Sequence, residues 1–208
     1  TAGLSNTSFV GFPIIEALYG AEGLKTAIIV DQPGSFVVVT TLGILVAASF
    51  SRGNLSTSEI LMKIVKFPPF IAFTIALFFT IFSFEFPNAL QNAFLRIGNT
   101  VTPVALVAVG LQLKIDKRSK HWSFLGLGLF FKLLIMPAFF YLLYKIILGG
   151  NGLEINVSIL ESAMAPMITG TILAANYGLK PKLSSMMVGV GIPLSLVTVA
   201  FWYWILSL

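Results

Sequence analysis

Seven apolar segments, each close to the length that a helix needs to cross a bilayer, occupy most of this 208-residue chain. Only 10% of the residues are charged, against roughly a quarter in soluble domains, so the chain cannot cover a water-facing surface. The segments do not alternate polar and apolar residues at period two, as the strands of a membrane barrel would. The sequence therefore predicts an all-α integral membrane protein. The expected segments are residues 3–19, 24–49, 68–86, 88–113, 122–148, 155–177 and 183–208.

The sixth segment contains an interruption beside an acidic residue. Residues 161–178 read ESAMAPMITGTILAANYG, in which Pro166 and Gly170 break the helical pattern a few residues after Glu161. In hydrocarbon, such a break persists only where the freed backbone is buried in protein or lines a wet cavity. The pattern indicates an ion or substrate site around Glu161, Pro166 and Thr169, and a kinked packing helix is the alternative.

The first segment carries similar punctuation. Residues 3–20 read GLSNTSFVGFPIIEALYG, with polar Asn6 and Thr7 followed by Pro13. This segment ends in Tyr-Gly at residues 19–20, and the later one ends in Tyr-Gly at residues 177–178. Paired interruptions in two corresponding segments are typical of the internal repeats of transporters. We therefore expect Pro13 and Pro166 to mark two broken helices that meet.

The distribution of Lys and Arg predicts the orientation in the membrane. These residues are concentrated in the links at 50–67, 114–120 and 180–182, which lie on one side if every segment spans the bilayer. The positive-inside rule places that side in the cytoplasm and the C-terminus outside. The first and sixth segments then run in opposite directions, as in an inverted repeat. The net charge of +5 is explained by these links, and no nucleic-acid partner is expected.

Three charged residues lie deep within apolar segments, where a charge is costly unless it is paired or wet. Asp31, with Gln32 beside it, and Glu161 are candidates for binding the substrate or carrying a coupling ion. Lys132 lies near the middle of the fifth segment and is expected to pair with an acid or to meet an anionic ligand. Purely structural ion pairs are the alternative. No enzyme is indicated, since the sequence contains no G-x-S-x-G, H-E-x-x-H or phosphate-binding glycine motif.

Several motifs resemble the auxin efflux carrier family in their order and spacing. They are SNTSFVGFP at 5–13, VTPVALVAVGLQL at 101–113, KLLIMP at 132–137, AMAP at 163–166 and AANYG at 174–178. The resemblance implies ten helices in two inverted five-helix repeats, with crossed discontinuous helices, of which this chain lacks the first three. The implied organisation is the end of the first repeat at 1–49, a linker with an interfacial helix at 50–67 and the second repeat at 68–208.

The resemblance further implies a secondary carrier of small organic anions, such as dicarboxylates or auxin-like acids, in a bacterial inner membrane. A proton or sodium gradient would drive it by alternating access, and a homodimer is one expected assembly.

Related bile acid sodium symporters are similar at Ser5-Asn6 and at Glu161 with Met164, which would hold a sodium ion; no other cofactor is expected. Pro166 departs from their pattern. A sodium-coupled carrier of that type, a membrane sensor that binds without transport and a structural membrane module are alternatives. The predicted substrate residues are Asn6, Thr7, Pro13, Asp31, Gln32, Lys132, Pro166 and Thr169, and the predicted coupling-ion residues are Ser5, Asn6, Glu161 and Met164.

Overall fold

The computed structural model describes residues 3–50, 58, 62, 65–66, 68–112 and 121–208. Apart from one isolated β-bridge, the regular structure in these ranges is helical, which confirms the predicted all-α class. The link at 114–120 and most of the linker at 50–67, with its predicted interfacial helix, lie outside the described residues. The helices are α1 (Thr7–Phe50), α2 (Pro68–Ile81), α3 (Asn88–Gln112), α4 (Trp122–Ile147), α5 (Leu153–Ser162), α6 (Ile168–Asn176) and α7 (Pro181–Ser207).

Helix α1 folds back on itself at Gly20 and forms two arms, residues 7–19 and 21–50. Gly20 has φ 66° and ψ −161°, a conformation that is essentially restricted to glycine. In a straight helix the 24 residues between Thr7 and Asp31 would separate them by about 36 Å. Instead the Thr7 hydroxyl donates a hydrogen bond to Asp31. The turn therefore makes α1 a hairpin, which supplies the first two predicted segments.

Three prolines accompany wider, π-helical turns in α1 and α4. Pro13 follows the wide turn Thr7–Gly11, Pro33 lies within Val30–Phe36, and Pro137 follows Phe131–Ile135. Proline has no N–H and clashes with the carbonyl four residues earlier, so the backbone widens or kinks around it. These wide turns contain Thr7, Asp31 and Lys132, respectively, so the prolines reshape the backbone where the predicted polar residues stand.

The carbonyl four residues before Pro137 has a hydrogen-bond partner on another helix. Pro137 cannot donate to the carbonyl of Leu133, four residues earlier. The indole N–H of Trp202, on α7, donates to that carbonyl at 3.0 Å. Trp202 is 6% exposed, so this bond lies inside the protein. It ties α7 to the wide turn of α4 and satisfies a buried acceptor.

The sixth predicted segment is broken at the expected place. Helix α5 ends at Ser162, residues 163–167 are non-helical, and α6 begins at Ile168. At the other end, α6 closes in a Schellman turn, in which the N–H of Leu179 donates to Ala174 at 2.8 Å and Gly178 has φ 69°. Gly178 thus ends this segment with a positive φ, as Gly20 ends the first arm of α1.

The non-helical residues before α1 pair with those between α5 and α6. The N–H of Asn6 donates to the carbonyl of Ala165 at 2.7 Å, and that of Met167 donates to Leu4 at 3.0 Å. Ser5 and Pro166 face each other in an antiparallel bridge. The first arm of α1 continues antiparallel to α5, because Gly11 lies against Glu161 and Ile15 packs in one cluster with Val157 and Leu160. The two interruptions therefore meet, and their segments run in opposite directions.

The position of the first interruption differs from the prediction. Pro13 stands in the first turn of the α-helical stretch Phe12–Ile29, where its missing N–H is tolerated, and not at the break. The backbone that pairs with Ala165 and Met167 is that of Leu4 and Asn6. The expectation that Pro13 itself marks the interruption is therefore wrong. Its contribution is the wide turn between the break and the helix.

The helices have the length and surface of a membrane domain. Three helical runs in the described part are long and apolar enough to cross a bilayer, namely α1, α4 and α7. Helix α2 is shorter than predicted, because it ends at Ile81 and not at residue 86. Large apolar side chains such as Ile29, Phe82 and Leu127 are more than 60% exposed, which suits lipid and not water. Helix α5 packs on α1 and α4, and α7 packs on α4 and α6.

Candidate functional site

The paired interruptions are held together by a buried lysine from a third element. Lys132, on α4, is 0% exposed, and its ammonium donates to Ser5 Oγ at 2.7 Å and to the carbonyl oxygen of Ser162. Ser5 belongs to the non-helical stretch before α1, and Ser162 is the last residue of α5. The predicted acidic partner of Lys132 is absent at ion-pair distance among the described residues. Its partners are instead a hydroxyl and a backbone carbonyl.

Asp31 links the two arms of α1 through a buried hydrogen bond. It is 2% exposed, and its two carboxylate oxygens accept from different donors. Thr7 Oγ1, on the first arm, donates to Oδ1, and Gln32 Nε2 donates to Oδ2 at 2.9 Å. Asp31 is therefore satisfied within the protein, and it orients Thr7 at the start of α1.

The carboxylate of Glu161 differs from that of Asp31 in its hydrogen bonding. Its side chain is 0% exposed, and neither carboxylate oxygen has a hydrogen-bond partner in the described part of the chain. Asp31 and Lys132 lie close enough to act on its charge. Gly11 leaves room for it, since a Cβ at that position would lie 2.6 Å from Glu161 Oε1. A buried carboxylate without partners is costly, which indicates that it meets a ligand, an ion or a proton.

A cavity of about 250 Å³ opens beside the paired interruptions. Part of its lining is polar and includes the buried residue Glu161. The other part is largely apolar, and three of its residues follow one another at intervals of four along α4. The polar part comprises Ser5, Thr7, Ser35, Ser158, Glu161 and Ser162, and the second part comprises Val30, Met136, Phe140 and Tyr144. Such a cavity suits a small molecule with a polar end and a short carbon skeleton.

The other predicted site residues lie behind or beside this cavity. Asn6 is 1% exposed, and its Oδ1 accepts from the N–H of Phe9 at 3.2 Å, so it caps α1. Met164 and Pro166 are buried in the non-helical stretch between α5 and α6. Thr169 is half-buried in the first turn of α6 and does not line the cavity. Pro13 and Gln32 do not line it either.

Two cavity residues on α5 escaped the sequence analysis. Ser158 and Ser162 line the cavity together with Glu161. The three residues follow the spacing i, i+3, i+4, which places them on one face of a helix. That spacing is visible in the sequence and would have identified both serines. Nothing comparable in the sequence signals Ser35, which the hairpin of α1 brings to the cavity.

The residues expected to bind sodium do not form a free set of ligands in this arrangement. Ser5 Oγ already accepts from the ammonium of Lys132, and Asn6 Oδ1 already accepts from Phe9. The free Asn6 atom is Nδ2, a donor that cannot bind a cation. Of the predicted side chains, only the carboxylate of Glu161 has its oxygens free. In this arrangement the side chains of Ser5 and Asn6 are engaged within the protein, and the predicted sodium ion stays a prediction.

Crossed helix interruptions with buried charges at their meeting point define a polytopic membrane protein with an intramembrane polar site. The chain belongs to the membrane transport protein family, whose model matches residues 1–203. This confirms the auxin efflux carrier-like family expected from the sequence motifs. Transport across a membrane is the function for which this family is named.

Individual relatives agree with the family. The chain is 30% identical to an uncharacterised transporter of Methanocaldococcus jannaschii, over 98% of this chain and 66% of the relative. It is 29% identical to an uncharacterised transporter of Methanothermobacter thermautotrophicus, over 97% of this chain and 65% of the relative. It is 24% identical to the uncharacterised transporter YfdV of Escherichia coli. The chain thus spans about two thirds of the length of these relatives.

Proposed function

We propose that this chain contributes the binding site of a secondary active carrier for small organic anions, such as dicarboxylates or auxin-like acids. The observation that supports this proposal is the pairing of two helix interruptions beside a cavity that adjoins a buried ammonium and an unpartnered carboxylate. Broken helices that meet in the membrane are the usual place for substrate binding in alternating-access carriers. Inverted five-helix repeats, and the domain boundaries at residues 49 and 67, are part of the same proposal.

The cavity offers an anion the positive end of a helix and a partly polar lining. Thr7 begins α1 at the cavity, and the N-terminus of a helix carries partial positive charge. Ser158 and Ser162 also line the cavity, where their hydroxyls donate to the carbonyls of Glu154 and Ile159 and would have to turn to bind an anion. The side-chain nitrogen of Lys132 lies behind Ser5 and donates to its hydroxyl. A carboxylate of the substrate would lie against this polar part of the lining, with its carbon skeleton against Phe140 and the other apolar residues.

Glu161 supplies a reason for coupling to an ion gradient. An ionised carboxylate at the cavity wall repels an anionic substrate strongly, because the interior screens charge poorly. Neutralisation of Glu161 by a proton or a cation removes this repulsion, so substrate and ion would bind together. Since Ser5 and Asn6 are already engaged, a proton at Glu161 is the coupling ion that this arrangement favours over sodium.

The proposed setting is the inner membrane of a bacterium, with the C-terminus outside and a homodimer as the assembly. The test is uptake of labelled malate or malonate by the full-length protein in proteoliposomes, under imposed proton or sodium gradients. We expect saturable uptake and counterflow. The Glu161→Gln variant should lose gradient-driven uptake by about 100-fold, as expected when a coupling group is removed, while exchange persists.

Glu154→Gln is the matched control, because Glu154 is exposed in the first turn of the same helix. It should transport like the wild type. Saturable binding without counterflow, across a panel of organic anions, would contradict transport and favour a membrane sensor. A wild-type rate in Glu161→Gln would contradict its role in coupling.

A further inference from the structure

The contacts of Lys132 are those that a bound monovalent cation would make. Its ammonium is fully buried and lies between Ser5 Oγ and the carbonyl oxygen of Ser162. Both oxygens, one from a side chain and one from the backbone, belong to residues at the paired interruptions. Hydroxyl and carbonyl oxygens at unwound stretches of membrane helices are the groups that bind sodium in other carriers. Here a positive charge attached to α4 occupies that place.

Lys132 also compensates for two effects of the helix interruptions, namely an unpaired carbonyl and a local negative charge. The carbonyl of Ser162 lies at the end of α5, where helix carbonyls lose their partners and carry partial negative charge. The ammonium satisfies this carbonyl and connects it to Ser5, across the two paired stretches. Its positive charge also acts on the buried Glu161 next to Ser162. A cation at this position therefore offsets both the unpaired carbonyl and the buried acid.

We propose that Lys132 is a tethered cation, which takes the position of a monovalent metal ion and holds the two helix interruptions together without sodium. Removal of its side chain should then create a site for a free cation. The proposal concerns the ion that organises the paired interruptions and does not depend on which anion is carried. A failure to detect transport would not contradict the tethered-cation proposal. Failure of the tethered-cation proposal would likewise not contradict the proposed transport function.

The test measures thermal unfolding of the full-length protein in detergent, in sodium chloride and in choline chloride of equal ionic strength. We expect the wild-type Tm to be the same in both salts. Lys132→Ala should unfold at a lower temperature in choline chloride. Sodium chloride or methylammonium chloride should raise its Tm in a saturable manner, by roughly 2 °C or more, because ligands that bind only the folded state stabilise it.

Lys145→Ala is the control, because Lys145 lies on the same helix and donates only to the exposed Asn151. Its Tm should not respond to the choice of cation. If Lys132→Ala fails to fold in every salt, Lys132→Gln retains most of the side chain, one atom shorter and without the charge, and should show the same response. A wild-type protein that sodium stabilises over choline would overturn the proposal. Neutral variants that fold but respond to neither sodium nor methylammonium would also overturn it.

Discussion

Asp31 and Glu161 lie at similar distances from the ends of their predicted membrane segments, but their carboxylates have different surroundings in the folded chain. Both oxygens of Asp31 accept hydrogen bonds, from Thr7 and from Gln32. Both oxygens of Glu161 lack a partner in the described part of the chain. Asp31 therefore joins the arms of α1 and positions Thr7, whereas the carboxylate of Glu161 is buried with its hydrogen-bonding capacity unused. The sequence alone suggests equal roles for the two acids.

The bond between Thr7 and Asp31 should contribute to stability. Thr7→Val keeps the shape of the side chain and removes the donor, and we expect a loss of about 1.5–3 kcal/mol, as for hydrogen bonds to charged groups. In a double-mutant cycle with Asp31→Asn, measured by denaturant unfolding, the coupling should exceed about 0.5 kcal/mol. Additive effects would contradict a direct bond. Thr41→Val is the control, since the Thr41 hydroxyl donates to a carbonyl of its own helix.

Gly11 controls the position of the Glu161 carboxylate. In Gly11→Ala the new methyl group would lie 2.6 Å from Oε1, so the carboxylate must move. Because the end of a flexible side chain yields more easily than backbone, we expect transport to fall by about tenfold, or ~1.4 kcal/mol, with a small change in Tm. Uptake in proteoliposomes and thermal unfolding separate the two effects. Gly126→Ala, where no heavy atom lies within 4 Å, should leave transport unchanged.

At the scale of the helices, glycine and proline determine where the chain turns and where it widens. Pro33 and Pro137 each lie in or beside a wide turn that carries a buried charged residue. Gly20 reverses the chain, so that Thr7 and Asp31 meet. The polar residues of the site therefore depend on backbone irregularities in helices that are otherwise apolar.

Gly20→Ala tests the hairpin of α1. A Cβ at Gly20 would meet no atom within 4 Å, so any loss of stability arises from the backbone conformation alone. We expect a cost of about 1–3 kcal/mol, because φ 66° with ψ −161° is unfavourable for alanine. Gly126→Ala lies in open space within a helix and should be neutral or stabilising. Denaturant unfolding of both variants gives the comparison, and equal effects would argue against strain at residue 20.

For the whole molecule, the predicted orientation in the membrane can be measured with single cysteines, because residues 1–208 contain none and any cysteine elsewhere in the full-length protein can be replaced. A single cysteine at Ser207, near the exposed end of α7, should react with a membrane-impermeant maleimide in intact cells. A single cysteine at Lys182, at the opposite end of the same helix, should react only after permeabilisation. The reverse pattern would show that the C-terminus lies inside.

The sequence by itself determined the class of the protein and the approximate places of its irregularities. Low charge and long apolar segments required membrane helices, because hydrocarbon tolerates only backbone that is satisfied internally. Pro166 and the Tyr-Gly endings located one break and two helix ends, since these residues act on the backbone beside them. The position of the first break was misjudged, because a proline early in a helix is also compatible with an intact first turn.

Only the tertiary structure decided which of these residues meet. Lys132 contacts Ser5 across 127 residues, and the backbone of Leu4 and Asn6 pairs with that of Met167 and Ala165. It also decided that Asp31 is satisfied and Glu161 is not. The physical reason is that the spacing of apolar residues indicates which face of a helix avoids water, but it does not indicate which helix packs on that face. The partner of a buried polar group depends on packing between segments that are distant in the chain.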